Sequence, residues 1–289
     1  MRSILENNFL TVEVESFGAE LKSLRSKETE REYMWSADAK YWGKTSPVLF
    51  PVVGCLKDDK IVVDGQDYSL SRHGFARDNE FELIEESESC LRYRLSSSEQ
   101  TLKVFPYEFQ FDIIYTLEAK SLMISYEVSN PSSKELIYSL GGHPAFNCQW
   151  QDGDGVTDYH LDFQQEENSQ KLGMDLPLLN GERIDCLAGQ RLDLTETIFD
   201  DDALIFDDLK SKYVDFKRND YEGEFLRFDF GSFPYLGIWS APAAPFVCLE
   251  PWAGLADSVD HDSDYSKKEA TLRLAAQEKS QLSYIISIL

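Results

Sequence analysis

The 289-residue chain carries 28 Lys and Arg against 52 Asp and Glu, a formal charge of −24. A surface this acidic repels phosphate backbones and anionic headgroups, which argues against nucleic-acid and membrane partners and against a polyanionic substrate unless a local basic pocket exists. At 42% hydrophobic and 13% aromatic residues the composition is globular. Its five cysteines (Cys55, Cys90, Cys148, Cys186, Cys248) form no CxxC or Cys/His cluster, so neither a disulfide scaffold nor a metal site is expected. With no secretion signal from Met1 to Ser16 and no apolar run of about 20 residues, the expected setting is the cytoplasm.

In chain order, the first period-two signal is Thr11 to Val14. A short helical stretch is predicted from Ser36, as cap, through Tyr41. Leu91, Tyr93 and Leu95 alternate again. The strongest signal is Phe109, Phe111, Ile113, Tyr115 and Leu117, then a turn over Glu118 to Ser121, then Leu122, Ile124, Tyr126 and Val128. That is an antiparallel pair with one apolar face. Turn formers stand at Asn130 to Ser133, Asp152 to Gly155, Asn180-Gly181 and Pro242 to Pro245. Tyr284 to Ile286 closes the chain with another strand. No long amphipathic helix and no linker is evident. The expectation is an all-β fold: one large antiparallel β-sandwich domain over residues 1–289 with few short helices.

Three segments carry candidate chemistry. His73 lies in Ser71 to Asp78 with Gly74 beside it. His143 lies between Gly141-Gly142 and Pro144. Glycine allows close approach of a ligand, and proline biases the residue before it toward extended backbone, so either imidazole can be presented at a strand end. The bland alternative for each is a histidine in a turn with one backbone partner. His160 and His261, in acidic surroundings, read as surface residues. The apolar run Phe246 to Leu249 stops at Glu250-Pro251-Trp252, which sets a carboxylate at the rim of the core. Such an acid has a raised pKa or a hydrogen-bonded partner and is a general-base candidate. Trp252 offers a flat face for a sugar ring, with core packing as its default use. The run Asp200 to Asp202 lacks the spacing of a calcium loop.

Five segments in order resemble the aldose 1-epimerase (galactose mutarotase-like) superfamily, and within it the branch of small bacterial proteins encoded beside lactose genes. They are Ser46 to Gly54, His73 to Asp78, Gly141 to Asn147, Gly237 to Ser240, and Phe246 to Asp257. The resemblance implies a large β-sandwich with a sugar cleft across one sheet. It implies His143 as general acid, Glu250 as general base and His73 as a hydrogen-bond partner of the substrate. It gives Arg77 as a substrate-binding arginine, as in the hexose-phosphate branch. An aspartate that binds sugar hydroxyls comes from Asp200, Asp201 or Asp202, with Asp202 the best match. Cys55 stands where relatives often carry an arginine, and Gly43-Lys44 where phosphate-binding relatives carry another. Both departures argue against a phosphorylated substrate.

The implied reaction interconverts the α and β anomers of an aldohexose by ring opening and closure, with no cofactor and no metal. The alternatives are a non-catalytic carbohydrate-binding module on the same sandwich, a hexose-6-phosphate epimerase, and a glycoside hydrolase pairing Glu250 with Asp202 or Asp257.

Overall fold

Alternation along each strand puts one row of side chains on the core and the other toward solvent. The computed structural model, which describes residues 1–289, builds the expected hairpin from Gln110–Glu118 and Ser121–Ser129. It pairs Leu117 with Leu122, Tyr115 with Ile124, Ile113 with Tyr126 and Phe111 with Val128, and all eight side chains are buried. The hairpin lies within a nine-stranded sheet. The strand order is Leu178–Asp193, Tyr159–Asp175, Tyr213–Arg218, Leu226–Asp229, Lys279–Ile288, Ser121–Ser129, Gln110–Glu118, Cys90–Ser96, Glu82–Glu86.

A second sheet runs in the order Leu204–Phe206, Tyr235–Trp239, Phe246–Ala253, Leu140–Gly142, Val48–Leu49, with Ala145–Asn147 also paired to Phe246–Ala253. Its ladders are all antiparallel. The Phe50 ring, just past Val48–Leu49, stacks on Phe111 of the large sheet at 4.6 Å, and Phe146 meets Phe228 at 5.8 Å. Contacts of this kind join the two sheets through a core cluster of 60 buried residues, the arrangement of a β-sandwich. The only helical pieces are five three-residue 3₁₀ turns, and no helix is long and apolar enough to cross a membrane.

Several expectations change. Ser36 caps no helix. Residues 39–41 form a single turn capped two residues later than expected: the Asp38 carboxylate accepts the Lys40 N–H, the Asp38 carbonyl accepts those of Tyr41 and Trp42, and the turn goes no further. The turn assigned to Asn180-Gly181 lies earlier, at Leu176-Pro177; Gly181 instead sits inside Leu178–Asp193 with φ +80° where the register is irregular. Of the two long strands of that hairpin, Leu178–Asp193 is mostly exposed, and Tyr159–Asp175 buries alternate residues that turn from apolar (Tyr159, Leu161, Phe163) to polar (Glu167, Ser169), so neither shows a sustained apolar alternation. His160 is buried, with Nδ1 at 2.7 Å from Asn219 Oδ1. His261 is largely buried as well.

Asp257, the last residue of the fifth segment, is structural. Its carboxylate accepts the Lys57 N–H at 2.9 Å and holds the Lys268 ammonium at 2.6 Å, with both side chains shut off from water. Removing one partner of a buried ion pair leaves an uncompensated charge. Lys268→Met is therefore expected to lower stability by about 3–5 kcal/mol, read as a fall in the urea midpoint. An unchanged midpoint would show that the pair contributes nothing.

Candidate active site

The site follows from one register. Along Phe246–Ala253, Leu140 pairs with Ala253, Gly141 with Trp252, Ala145 with Cys248 and Asn147 with Phe246. The two short ladders share this register across Pro144, so His143 falls opposite Glu250. His143 Nε2 lies 3.1 Å from Glu250 Oε2, but off the line of a good hydrogen bond, since that oxygen has no qualifying donor. The backbone around His143 is pinned from the other side: its N–H donates to Pro47 O, and the Ala145 N–H donates to Thr45 O. The buried Glu20 carboxylate in turn accepts the N–H groups of Thr45 and Ser46.

Gly237, which pairs with Glu250 on the other flank, has no side chain for a packing reason. A Cβ there would lie 3.1 Å from the Trp252 ring and 3.3 Å from Glu250 Cβ; one at Gly141 would meet the same ring at 2.7 Å. The two glycines leave room for Trp252, which is buried in a cluster with Leu49, Val53, Ala203 and Ile205. Core packing is thus its first use, though it also lines the pocket and its Nε1–H has no partner.

Glu250 and His143 open into a cavity of about 430 Å³ whose walls include His73, Arg72, Arg77, Asp200, Asp202 and Trp252, a size ordinary for a small-molecule site. His73 is held by a reciprocal pair: its N–H donates to Gly54 O, and the Gly54 N–H donates to His73 Nδ1 at 3.1 Å. Because Nδ1 accepts, the proton of the neutral imidazole sits on Nε2, which is thereby a donor. Arg72 Nε stands 3.3 Å from that same nitrogen, a donor facing a donor, so this contact gives way readily to an acceptor on a ligand. The same grip holds His73 in the left-handed region, at φ +67°, a strain found at sites of function.

Asp202 faces the cavity with its carboxylate 3.7 Å from Arg72, and Asp200 also lines it, whereas Asp201 is exposed near Lys171 and does not. Arg77 lines the cavity while donating to Arg72 O. The sequence segments brought together are therefore those around His73, Asp202, His143 and Glu250. Asp257 and His261 line a different cavity. Sequence reasoning missed Arg72, although it stands directly before His73, and missed Trp42 and Trp239. Trp42 stacks on the His143 ring at 4.8 Å and 28°, and Trp239 meets that ring edge-on at 5.8 Å.

Burial dominates the electrostatics. It raises the Glu250 carboxyl well above the ordinary range and pushes His143 down to about 3. Each moves toward its uncharged form. Burial thus presses both groups, whose nearest atoms lie 3.1 Å apart, toward neutrality. His73 is likewise lowered, by burial first and then by His143, Arg72 and Arg77.

A family model for aldose 1-epimerase matches residues 2–259. The chain belongs to the aldose 1-epimerase family. It is 35% identical to the chromosomal Protein LacX of Lactococcus lactis subsp. lactis, with 99% of this chain and 98% of that protein covered, and equally so to the plasmid form. Among solved structures it is similar to a galactose mutarotase related enzyme from Lactobacillus acidophilus, with TM-score 0.95 and 32% identity over 100% of this chain and 97% of that one. A galactose mutarotase-like protein from Lactobacillus casei gives TM-score 0.93 and 30% identity, with both chains fully covered. Family and neighbours together support a mutarotase-type function on a sugar.

In this epimerase-family site the buried acid carries a stability cost with a definite sign. A carboxyl whose folded pKa is raised binds more protons folded than unfolded, so stability falls as pH rises through the unfolded carboxylate value of about 4.3. His143, lowered in the fold, acts oppositely and only below its unfolded value of about 6.5. Glu250→Gln is expected to raise the melting temperature at pH 8 and to give little or no gain at pH 4. Melts at the two pH values check this, and a variant less stable than the parent at pH 8 would contradict it.

Proposed function

We propose that the protein is an aldose 1-epimerase that interconverts the anomers of an unphosphorylated aldohexose, with Glu250 as base and His143 as acid. The observation that carries the reading is the 3.1 Å contact between these groups at the wall of a sugar-sized pocket. Ring opening takes a proton from the C1 hydroxyl and gives one to the ring oxygen. Both oxygens are bonded to C1, so an acid and a base on one pocket wall can reach them together. A glycoside hydrolase needs two carboxyl groups separated by about 5 Å or more. Of its proposed partners for Glu250, Asp257 lies in another cavity and is committed to Lys268.

The pair's single proton sets the starting state. With the proton on His143, Glu250 is a carboxylate ready to accept from the C1 hydroxyl. Burial opposes that charged arrangement. The hydroxyl's hydrogen bond to the carboxylate favours it, as does the Trp42 face against the imidazolium. Glu250 takes the C1 hydroxyl proton while His143 protonates the ring oxygen; the C1–O bond to the ring breaks and the aldehyde forms. Rotation about C1–C2 presents the other face, and the reverse transfers close the ring. His73 Nε2–H, Arg72, Arg77 and Asp202 orient the hydroxyls. Trp252 serves by packing behind Glu250 and offering its Nε1–H.

An unphosphorylated substrate is favoured by the commitments of the cations. Arg72 leans on Asp202 and Arg77 on Asp78, each at 3.7 Å, and Lys44 is bound to Asp78 at 3.0 Å. Both arginines that line the cavity have an acidic partner.

Polarimetry on freshly dissolved α-anomers of galactose and glucose tests the reading. Glu250→Gln and His143→Asn should each lower kcat by about 10²–10⁴-fold, and parent protein no faster than buffer would favour a sugar-binding module. His73→Asn should raise KM more than it lowers kcat; an unchanged KM would remove its assigned role. Because the pair takes up a second proton only near pH 3, kcat should show no acid inflection near the ordinary histidine value of about 6.5. A half-maximal rate there, after subtraction of the spontaneous reaction, would count against the one-proton pair.

A further inference from the structure

Cys248 and Glu250 are two apart on one strand and so project from the same face of the sheet. His143 stands across from Glu250, and the next residue but one, Ala145, pairs with Cys248. One donor atom from each of the three side chains, an imidazole nitrogen, a thiol sulfur and a carboxylate oxygen, falls within 4.8 Å of the others, and all three residues are buried. Glu250 Oε2 and His143 Nδ1 are buried without hydrogen-bond partners. Cys248 packs in a cluster with Trp35 and Phe246, against which Trp42 and Trp239 also pack. The sequence hides this grouping, because a Cys-x-Glu pair and a distant histidine match no familiar ligand spacing.

We propose that His143, Cys248 and Glu250 form an inhibitory binding site for a thiophilic divalent cation, Zn²⁺ foremost. Imidazole, thiolate and carboxylate are the zinc donor set, at about 2.0–2.3 Å from the metal. A tetrahedral ion holds its ligand atoms about 3.3–3.7 Å apart. The His143–Glu250 separation of 3.1 Å is already close to this, and the sulfur has to approach by about 1 Å. His143 and Glu250 line the pocket, which gives an ion its route of entry to them, and Cys248 lies beside them off that lining. Charge balances without further partners. The thiol proton and the one proton shared by Glu250 and His143 leave to solvent as the dication enters, so the buried site stays neutral overall. Hard cations such as Mg²⁺, which want oxygen donors and keep their water, do not fit this set.

Binding itself is independent of the epimerase reading; inhibition rests on it, since the ion takes up the proposed acid and base together. The experiment therefore has two readouts. Metal-free protein is titrated with Co²⁺, and thiolate-to-cobalt charge-transfer absorption is followed in the near ultraviolet. The expected result is a band saturating at one equivalent in the parent and absent in Cys248→Ser and Cys248→Ala, with Zn²⁺ displacing the cobalt and Mg²⁺ failing to do so. In polarimetry, Zn²⁺ should inhibit the parent and require at least about tenfold more metal to inhibit either variant, while the variants' metal-free rates stay near the parent's. Either variant suffices if the other fails to fold. No band in the parent, or a band that persists in both variants, overturns the site. A Cys248-dependent band in a protein with no anomerase activity would keep the metal site and remove the epimerase reading.

Discussion

The structure turns on a buried carboxylic acid and a buried imidazole held 3.1 Å apart by a strand register. The register is unbroken from the Leu140–Ala253 pair to the Asn147–Phe246 pair, even though Pro144 supplies no N–H between them. A slip of one residue would turn Glu250 to the opposite face and bury Leu249 in the pocket. Much of the surrounding detail protects that register. Glycine at 141 and 237 makes room for Trp252, Glu20 clamps the Thr45–Ser46 backbone, and Thr45 and Pro47 hold the far edge of the His143 segment.

The fold was legible where strands have one wet face and one dry one. Alternation located the Gln110–Ser129 hairpin almost residue for residue. It failed for Leu178–Asp193, which is mostly exposed, and for Tyr159–Asp175, where the buried alternate positions after Tyr159, Leu161 and Phe163 include the polar Glu167 and Ser169; an exposed strand is held by its backbone ladder, and its side chains carry no apolar period. The misplaced turn belongs to the same hairpin. Asn-Gly is a strong turn signal in isolation, yet pairing of Leu179 with the Asp257–Val259 segment draws that stretch into an extended path and leaves the reversal to Leu176-Pro177.

The site was legible as a set of segments and less so as a set of contacts. Glycine and proline beside His73 and His143, and the charge ending the Phe246–Leu249 run, are local oddities that a soluble strand does not need, and each marks a residue on the pocket wall. The sequence could not reveal which atoms those residues share. That Gly54 holds the His73 ring, that Trp42 lies on His143, and that Asp202 rather than Asp201 turns inward are long-range facts. His160 and His261 were misjudged because acidic neighbours in sequence look like solvent, whereas here the chain folds over them.

Asp257 and Glu250 end and begin the same stretch of chain, and both are withheld from water. One is closed off electrically by an ammonium; the other looks at a ring that burial keeps uncharged. Depth is the same for both, so depth alone does not make an acid reactive. What separates the two acids is the neighbour: a buried ammonium neutralises Asp257, whereas an uncharged ring faces Glu250.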